Sequence, residues 1–106
     1  MVHEKLRYLF RPASIAVVGA SEKPGPGLQV IENLRKLGYE GDIYPVNPKY
    51  EKVLGLTCYS SLSAVQAAGN SVDTVAILLG KQNVIPVMQE AAQIGAKAGW
   101  AFAAGF

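Results

Sequence analysis

The sequence predicts an α/β fold built on a parallel β-sheet of about five strands. Two short apolar runs, over 15–18 and 73–79, have the continuous hydrophobicity of central strands that are buried on both faces. Between and after these runs, apolar residues recur every three or four positions, as they do on the buried face of a helix. Strands that alternate with helices in this way form βαβ units with right-handed crossovers, so helices are expected on both faces of the sheet.

The first half of the chain predicts two helices and two strands. A short helix is expected over 4–10, followed by the strand over 15–18. A longer helix then starts at Gly27, and Gly38 suits its left-handed end. The apolar stripe expected on this helix consists of Leu28, Val30, Ile31, Leu34 and Leu37. A second strand is expected over 42–48, and its prolines predict that it leaves regular pairing near its C-terminal end.

The second half begins with smaller elements. A short edge strand is expected over 55–59, and Ser60 or Ser61 is predicted to cap a brief helix. The strand over 73–79 precedes a helix capped by Asn83, with Pro86 in its first turn. The inner face of this helix is expected to contain Val84, Val87, Met88, Ala91, Ala92 and Ile94. Gly95 ends the helix, and 97–103 form the last strand.

Length and composition indicate a single globular domain over 1–106. The 106 residues are 50% hydrophobic and 17% charged, and the net charge of +2 is too small to favour nucleic acid or an anionic membrane surface as a partner. Cys58 is the single cysteine, which excludes an internal disulfide and indicates an inert thiol in a cytoplasmic protein. The apolar end of the chain predicts a fragment truncated at its C-terminus, or a fold completed by another chain.

Candidate ligand-binding residues lie in loops that follow the predicted strands. In an open parallel sheet, ligands bind at the carboxyl ends of the strands. The loops that reach this edge begin at Gly19, Asn47, Gly80 and Ala104. Lysines that follow these positions are Lys23, Lys49, Lys52 and Lys81. Because lysine is a mobile positive charge, this edge suits a phosphorylated ligand, although loops commonly carry exposed lysine.

The loop over 19–27 resembles a phosphate-binding turn without matching a standard motif. Its glycines, Gly19, Gly25 and Gly27, are spaced too widely for G-x-G-x-x-G, and no Gly-Lys-Ser/Thr follows as in a Walker A motif. A glycine-rich turn between a strand and a helix lets backbone approach a phosphate, and the Ser21 hydroxyl could contact a phosphate oxygen. The alternative interpretation is a simple turn.

The end of the second strand narrows the choice of ligand. NAD-binding folds usually place Asp or Glu there to bind the ribose hydroxyls. This chain has Asn47, Pro48 and Lys49, while Glu40 and Asp42 lie at the other end of the strand. Lys49 favours a ligand with a ribose phosphate, which leaves NADP and coenzyme A (CoA) open. Catalytic groups are scarce, because His3 is the single histidine and lies near the N-terminus, Glu22 has no evident acid–base partner, and no metal-ligand spacing occurs.

Several segments resemble the CoA-binding domain of NDP-forming acyl-CoA synthetases, a family related to succinyl-CoA synthetase. The resemblance covers nearly the whole chain. It rests most strongly on Gly-Ala-Ser at 19–21 together with Tyr-Pro-Val-Asn-Pro at 44–48. Further matching segments are 9–18, 38–43, 54–55, 58–62, 72–73 and 103–106. Members of the family convert a carboxylate, CoA and ATP to acyl-CoA, ADP and phosphate through a phosphohistidine.

The resemblance implies a Rossmann-type three-layer fold and a role for each candidate residue. Gly19, Ala20 and Ser21 would approach the pyrophosphate of CoA, and Asn47, Pro48 and Lys49 would line its nucleotide end. Leu79, Gly80 and Lys81 would flank the pantetheine or adenine side. Ala104 and Gly105 would lie near the reaction centre. The partners implied are CoA or acyl-CoA and the remaining synthetase domains or subunit, and a homo-oligomer is compatible with them.

The chain departs from the family pattern in ways that keep other functions open. Leu79-Gly80 stands where apolar residues followed by proline are usual, and the 19–27 loop is about one residue short. The segment 99–102 also replaces a more uniformly β-branched strand. The phosphohistidine belongs to a following domain, so the chain is not expected to be catalytic alone. The alternatives are a stand-alone CoA-binding or CoA-sensing protein and an NAD(P)(H)-binding regulatory domain.

Overall fold

Four parallel strands form the main sheet of the part that the structure, a computed structural model, describes, residues 13–101. In chain order the elements are β1 (Ser14–Val18), α1 (Pro26–Lys36), β2 (Asp42–Val46), β3 (Lys52–Val53), β4 (Leu56–Thr57), α2 (Leu62–Ala67), β5 (Thr74–Ile77), α3 (Lys81–Gln93) and β6 (Ala98–Ala101). The strands of the main sheet lie in the order β2-β1-β5-β6. The helix expected over 4–10, the end of the last predicted strand, and Ala104 and Gly105 lie outside the described residues.

The sheet separates two hydrophobic layers, as expected for a Rossmann-like three-layer fold. Side chains alternate across β1, so that Ile15 and Val17 pack in a cluster with Ile31 of α1. Ala16 and Val18 pack in the other cluster, together with buried residues of α2 and α3. Every residue of β1 and of β5 is buried. The continuous apolar runs therefore mark central strands, and the predicted fold class is confirmed.

The region between β2 and α2 differs from the single edge strand predicted over 55–59. Leu56 and Thr57 pair antiparallel with Lys52 and Val53, which forms a separate two-stranded hairpin. Tyr59 then makes one parallel bridge to Val46 at the outer side of β2. In place of the edge strand predicted over 55–59, the main sheet thus gains only the single Val46–Tyr59 bridge, which lies beside the hairpin. Two-residue strands are too short to show periodicity in the sequence.

The helices confirm most of the predicted caps and correct one. Ser61 is the N-cap of α2, because its Oγ accepts a hydrogen bond from the Ala64 N–H at 3.1 Å. Gly38 and Gly95 follow α1 and α3 with φ of 76° and 79°, as predicted for the residues that end these helices. The predicted Asn83 cap is wrong. Gly80, with extended backbone, is the N-cap of α3, so Pro86 lies beyond the first turn.

Three residues predicted on buried helix faces are exposed. Leu37 is 85% exposed because α1 ends at Lys36 and Leu37 is its C-cap. Met88 is 54% exposed, and Ala92 is also exposed. The inner face of α3 is therefore narrower than predicted, and it contains Val84, Val87, Ala91 and Ile94.

Candidate functional site

Gly19 forms the turn that follows β1, at the point where the strand order reverses between β1 and β5. Its φ of 95° lies in the region that favours glycine. Its N–H donates to the Val46 carbonyl at 2.9 Å, while a Cβ at this position would collide with the Leu78 carbonyl oxygen of the segment after β5. Only glycine therefore fits between the ends of three neighbouring strands. In open α/β sheets this crevice is where ligands bind.

The loop over 19–25 leads directly into the N-terminus of α1. Gly27 lies in the first turn of the helix and packs so closely on the loop that a Cβ would overlap the Gly19 carbonyl oxygen. The N-cap is Gly25, which makes no side-chain capping bond, and the first turn contains no acidic residue. Within the described residues, neither a capping side chain nor an acidic residue of the first turn offsets the partial positive charge of this helix end. Such an end suits an anionic group of a ligand.

Asn47 connects the loop after β2 to the loop after β1. Its Nδ2 donates to the Ala20 carbonyl at 2.8 Å, and its Oδ1 accepts from the Lys49 N–H at 2.9 Å. Its own N–H donates to the Tyr59 carbonyl at 2.9 Å. Asn47 therefore holds the Gly19–Ala20 turn and the turn toward Lys49 in fixed relation. An aspartate could not donate to the Ala20 carbonyl, so an asparagine suits this position.

The Ser21 hydroxyl already has protein partners. Its Oγ accepts from the Lys23 N–H at 2.9 Å and lies 3.3 Å from the Tyr50 hydroxyl oxygen. Ser21 and Tyr50 are both partly buried. The hydroxyl predicted to contact phosphate thus also links the loop after β1 to the loop after β2.

The segment after β5 completes the edge. Leu78 donates its N–H to the Val18 carbonyl at 2.8 Å, and Leu79 and Gly80 follow at the start of α3. Like α1, this helix has no side-chain cap and no acidic residue in its first turn. The backbone of Lys81 begins α3, so the predicted segment 79–81 leads from the end of β5 into the start of this helix.

A cleft of about 470 Å³ opens along this edge. It is walled by the end of β1 at Gly19, by Asn47, Pro48 and Lys49 after β2, and by Leu79. The other lining residues are Val18, Val46, Ser60, Ser61, Asn83, Val87 and Glu90. Of the predicted site residues, the cleft thus brings together Gly19, Leu79 and the segment 47–49, whereas the rest of the glycine loop and Gly80 do not line it.

The predicted lysines divide between the edge and the hairpin. Lys49 is exposed and lines the cleft, and Lys23 is exposed on the loop after β1. Lys52 is exposed in β3, in the hairpin outside the main sheet. A positive charge therefore lies at the cleft itself only through Lys49, among the described side chains.

Glu90 is a cleft residue that sequence reasoning missed. Its carboxylate accepts from the Ser63 Oγ at 2.8 Å and from the Leu62 and Ser63 N–H groups at 3.3 and 3.4 Å. Together with Ser61, it caps α2. Because Glu90 is 27 or 28 residues away from these partners in the chain, no local pattern could reveal the contact. The N-terminus of α2 is thus occupied, in contrast to those of α1 and α3.

Cys58 is half-buried and has the properties of a structural thiol. Burial raises the pKa of the Cys58 thiol, and backbone hydrogen bonds at Asn47 and Tyr59 oppose this only in part. Its Sγ lies 3.4 Å from the Asn47 carbonyl oxygen, beneath the edge loops. A raised pKa disfavours the nucleophilic thiolate. The Glu22 carboxylate accepts a hydrogen bond from the Leu54 N–H at 2.7 Å.

Over 13–101, no cluster of three or more His, Cys, Asp and Glu side chains is placed to hold a metal ion. Within the same range, no helix has the length and apolar character needed to cross a membrane. His3 lies outside the described residues.

Known proteins resemble this chain over most of its length. The ADP-forming acetate–CoA ligase II of Archaeoglobus fulgidus is 42% identical over 102 residues, which cover 95% of this chain and 15% of the ligase. The alpha subunit of the ADP-forming acetate–CoA ligase I of Pyrococcus furiosus is 38% identical over 94 residues, or 87% of this chain and 20% of the subunit. The chain thus spans a fifth or less of the length of these two relatives.

A solved structure supports the same relationship. An acetyl-coenzyme A synthetase 1 from Ca. Korarchaeum cryptofilum, described as dinucleotide forming and in complex with phosphate and ADP, superposes with a TM-score of 0.85 at 36% identity. The match covers 95% of this chain and 21% of the synthetase. The family model that describes a CoA binding domain matches residues 13–106. With the glycine turn and the cleft at the switch point of its sheet, the chain belongs to the CoA-binding domain family.

Proposed function

We propose that the chain binds CoA along the carboxyl edge of its sheet, with the phosphates of the ligand against the Gly19 turn and the start of α1. The observation that carries this proposal is the uncapped N-terminus of α1, packed directly behind that turn. A helix end with no acidic residue and no side-chain cap stabilises a phosphate through its N–H groups and its dipole.

Each edge loop is proposed to contact a different part of CoA. Backbone at Gly19, Ala20 and Ser21, with Lys23, Gly25 and Gly27 in the rest of the loop, is proposed to approach the pyrophosphate. Asn47, Pro48 and Lys49 are proposed to line the nucleotide end, where Lys49 reaches the 3′-phosphate. Leu79, Gly80 and Lys81 would flank the pantetheine or adenine side. Ala104 and Gly105, outside the described residues, keep their proposed place near the reaction centre.

At the level of the whole protein, we propose that the chain is the CoA-binding part of an ADP-forming acyl-CoA synthetase. The relatives named as ADP-forming acetate–CoA ligases support this assignment. In such an enzyme a carboxylate, CoA and ATP would give acyl-CoA, ADP and phosphate. The described side chains supply a binding surface, so catalysis would require the remaining synthetase domains or subunit. The enzyme would work in the cytoplasm.

The role of Lys49 provides the test. In the complete natural protein, calorimetry compares the Kd of CoA with that of dephospho-CoA, which lacks the 3′-phosphate. Lys49→Ala is expected to weaken CoA binding roughly tenfold, because a charge-assisted contact is lost, and to change dephospho-CoA binding much less. Lys36→Ala, at the opposite end of α1, is the control and should leave both values unchanged.

Other outcomes would contradict the proposal. If Lys49→Ala weakened the binding of CoA and of dephospho-CoA equally, Lys49 would not contact the 3′-phosphate. Binding of NAD or NADP in place of CoA would refute the CoA assignment and favour a regulatory dinucleotide-binding domain.

A further inference from the structure

The turn of the β3–β4 hairpin has an unusual backbone. Leu54 and Gly55 join the two strands with φ of 50° and 81°, which is the pattern of a type I′ turn. Leu54 is the one non-glycine residue with positive φ in the described part of the chain. The left-handed region disfavours a leucine, so other contacts must hold this turn in place.

Two charged side chains hold the polar groups of Leu54. The Glu22 Oε1 accepts from the Leu54 N–H at 2.7 Å, and the Arg35 Nη2 donates to the Leu54 carbonyl at 2.8 Å. Both distances are in the short range of charge-assisted hydrogen bonds. Glu22 belongs to the loop after β1, and Arg35 to the last turn of α1. The hairpin turn is therefore attached to both.

The hairpin itself is anchored in the core. Val53, the residue before the turn, is completely buried and belongs to the same cluster as Ile31 of α1. A contact to Leu54 is thus a contact to a fixed part of the fold. A second contact of the loop joins the Ser21 Oγ and the Tyr50 hydroxyl oxygen, which lie 3.3 Å apart. These contacts hold the loop over 19–25, of which residues 22–24 are exposed, against the hairpin turn and Tyr50.

We propose that Glu22 is a positioning residue for the ligand phosphates. Its carboxylate holds the loop over 19–25 in the conformation in which backbone N–H groups can receive a phosphate, and Leu54 is its anchor. This inference rests on the proposed function. It also explains why an acidic residue lies in a loop assigned to a polyanion. Its charge repels the ligand, while its hydrogen bond preorganises the loop.

The direction in which CoA affinity changes when the Glu22 carboxylate is removed distinguishes charge repulsion from positioning of the loop. If Glu22 acted through its charge alone, removing the carboxylate would strengthen the binding of an anionic ligand. If Glu22 positions the loop, removing the carboxylate weakens binding, because the loop must then be ordered when the ligand binds. Glu22→Ala removes both the charge and the hydrogen bond. Glu22→Gln removes the charge but keeps an oxygen that can accept the Leu54 N–H.

The experiment measures the Kd of CoA by calorimetry in the complete natural protein and its variants. Glu22→Ala is expected to raise the Kd roughly tenfold, as for loss of a hydrogen bond to a charged group. Glu22→Gln is expected to restore the Kd to within about threefold of the natural protein. Glu32→Ala is the control, since it removes another exposed carboxylate, from α1, and it should not weaken binding.

Hydrogen exchange of the ligand-free proteins gives a second readout that does not depend on CoA. The loop amides over 19–25 and the Leu54 amide should exchange faster in Glu22→Ala than in the natural protein, while the amides of β1 are unchanged. Unchanged loop exchange, or CoA binding by Glu22→Ala that is as tight as or tighter than natural, overturns the positioning role. If the natural protein binds no CoA, the proposed function is refuted instead. The attachment of the loop by Glu22 is then tested by the exchange rates of the loop amides in Glu22→Ala alone.

Discussion

Replacing Gly19 by alanine tests the close meeting of strand ends at the candidate site. A Cβ at Gly19 would collide with the Leu78 carbonyl oxygen and lie 3.3 Å from the Leu79 Cδ2 atom. Gly69 provides a matched control. Its φ of 91° is nearly the same as the 95° of Gly19, but no heavy atom lies within 4 Å of the position of its Cβ.

The expected difference in unfolding free energy between the two variants comes from what they do not share. Each places a Cβ in the left-handed region, at a cost of about 1–2 kcal/mol. Each also restricts the unfolded chain, which returns about 0.4–1 kcal/mol of stability. Only Gly19→Ala adds a steric overlap with backbone, for which overpacking costs about 1–3 kcal/mol. Gly19→Ala should therefore lower the free energy of unfolding by about 1–3 kcal/mol more than Gly69→Ala does.

Native-state hydrogen exchange of the buried β1 and β5 amides is the appropriate assay in the complete natural protein, because these amides exchange through unfolding of this domain. CoA affinity is measured in parallel. Gly19→Ala should weaken CoA binding, whereas Gly69→Ala should leave it unchanged. Equal destabilisation by the two substitutions, with equal CoA affinity, would refute the close packing described at the switch point.

Three further predictions concern the core and two ionisable groups. Ile31→Ala should destabilise the domain by about 2–5 kcal/mol, because Ile31 is completely buried. The exposed Leu37 provides the control, and Leu37→Ala should change stability by less than about 0.5 kcal/mol. Similar losses of unfolding free energy for the two variants in chemical denaturation would contradict the assigned end of α1. Because burial raises the pKa of Cys58, its alkylation by iodoacetamide at pH 8 should be slower than that of a cysteine in the unfolded chain, and equal rates would exclude this environment. Burial, with a smaller contribution from Asp73, raises the pKa of Tyr39 from 10.0 to about 12. As the pH rises, Tyr39 therefore ionises first in the unfolded chain, so its contribution to stability is retained below pH 10 and is lost as the pH rises from about 10 to 12. Tyr39→Phe should reduce the dependence of the unfolding free energy on pH in this range. An unchanged dependence would show that other groups cause it.

The sequence predicted the parts of the fold that depend on strong local patterns. The apolar runs at β1 and β5 identified strands buried on both faces, and the positions of Gly38 and Gly95 identified the ends of α1 and α3. The glycine turn after β1 and the asparagine after β2 identified the edge of the sheet where the cleft lies. In each case the residue type is required by the backbone or by burial at its own position.

The parts that were missed depend on contacts between distant residues or on weak signals. Residue propensity favours Asn83 as a helix cap, but extended backbone at Gly80 starts α3 earlier. The β3–β4 hairpin has only two residues in each strand, and its turn lacks the usual Asn-Gly pair. The contact between Glu22 and Leu54 spans 32 residues of the chain. Tertiary structure alone reveals such a contact.

Hydrogen exchange with and without CoA tests the central claim most directly. In the complete natural protein, binding of CoA at the carboxyl edge should slow exchange over 19–27, 47–49 and 79–83, and leave the opposite edge of the sheet, around Asp42 and Asp73, unaffected. Protection that avoids these three segments, or no change anywhere in the chain at saturating CoA, would contradict the account.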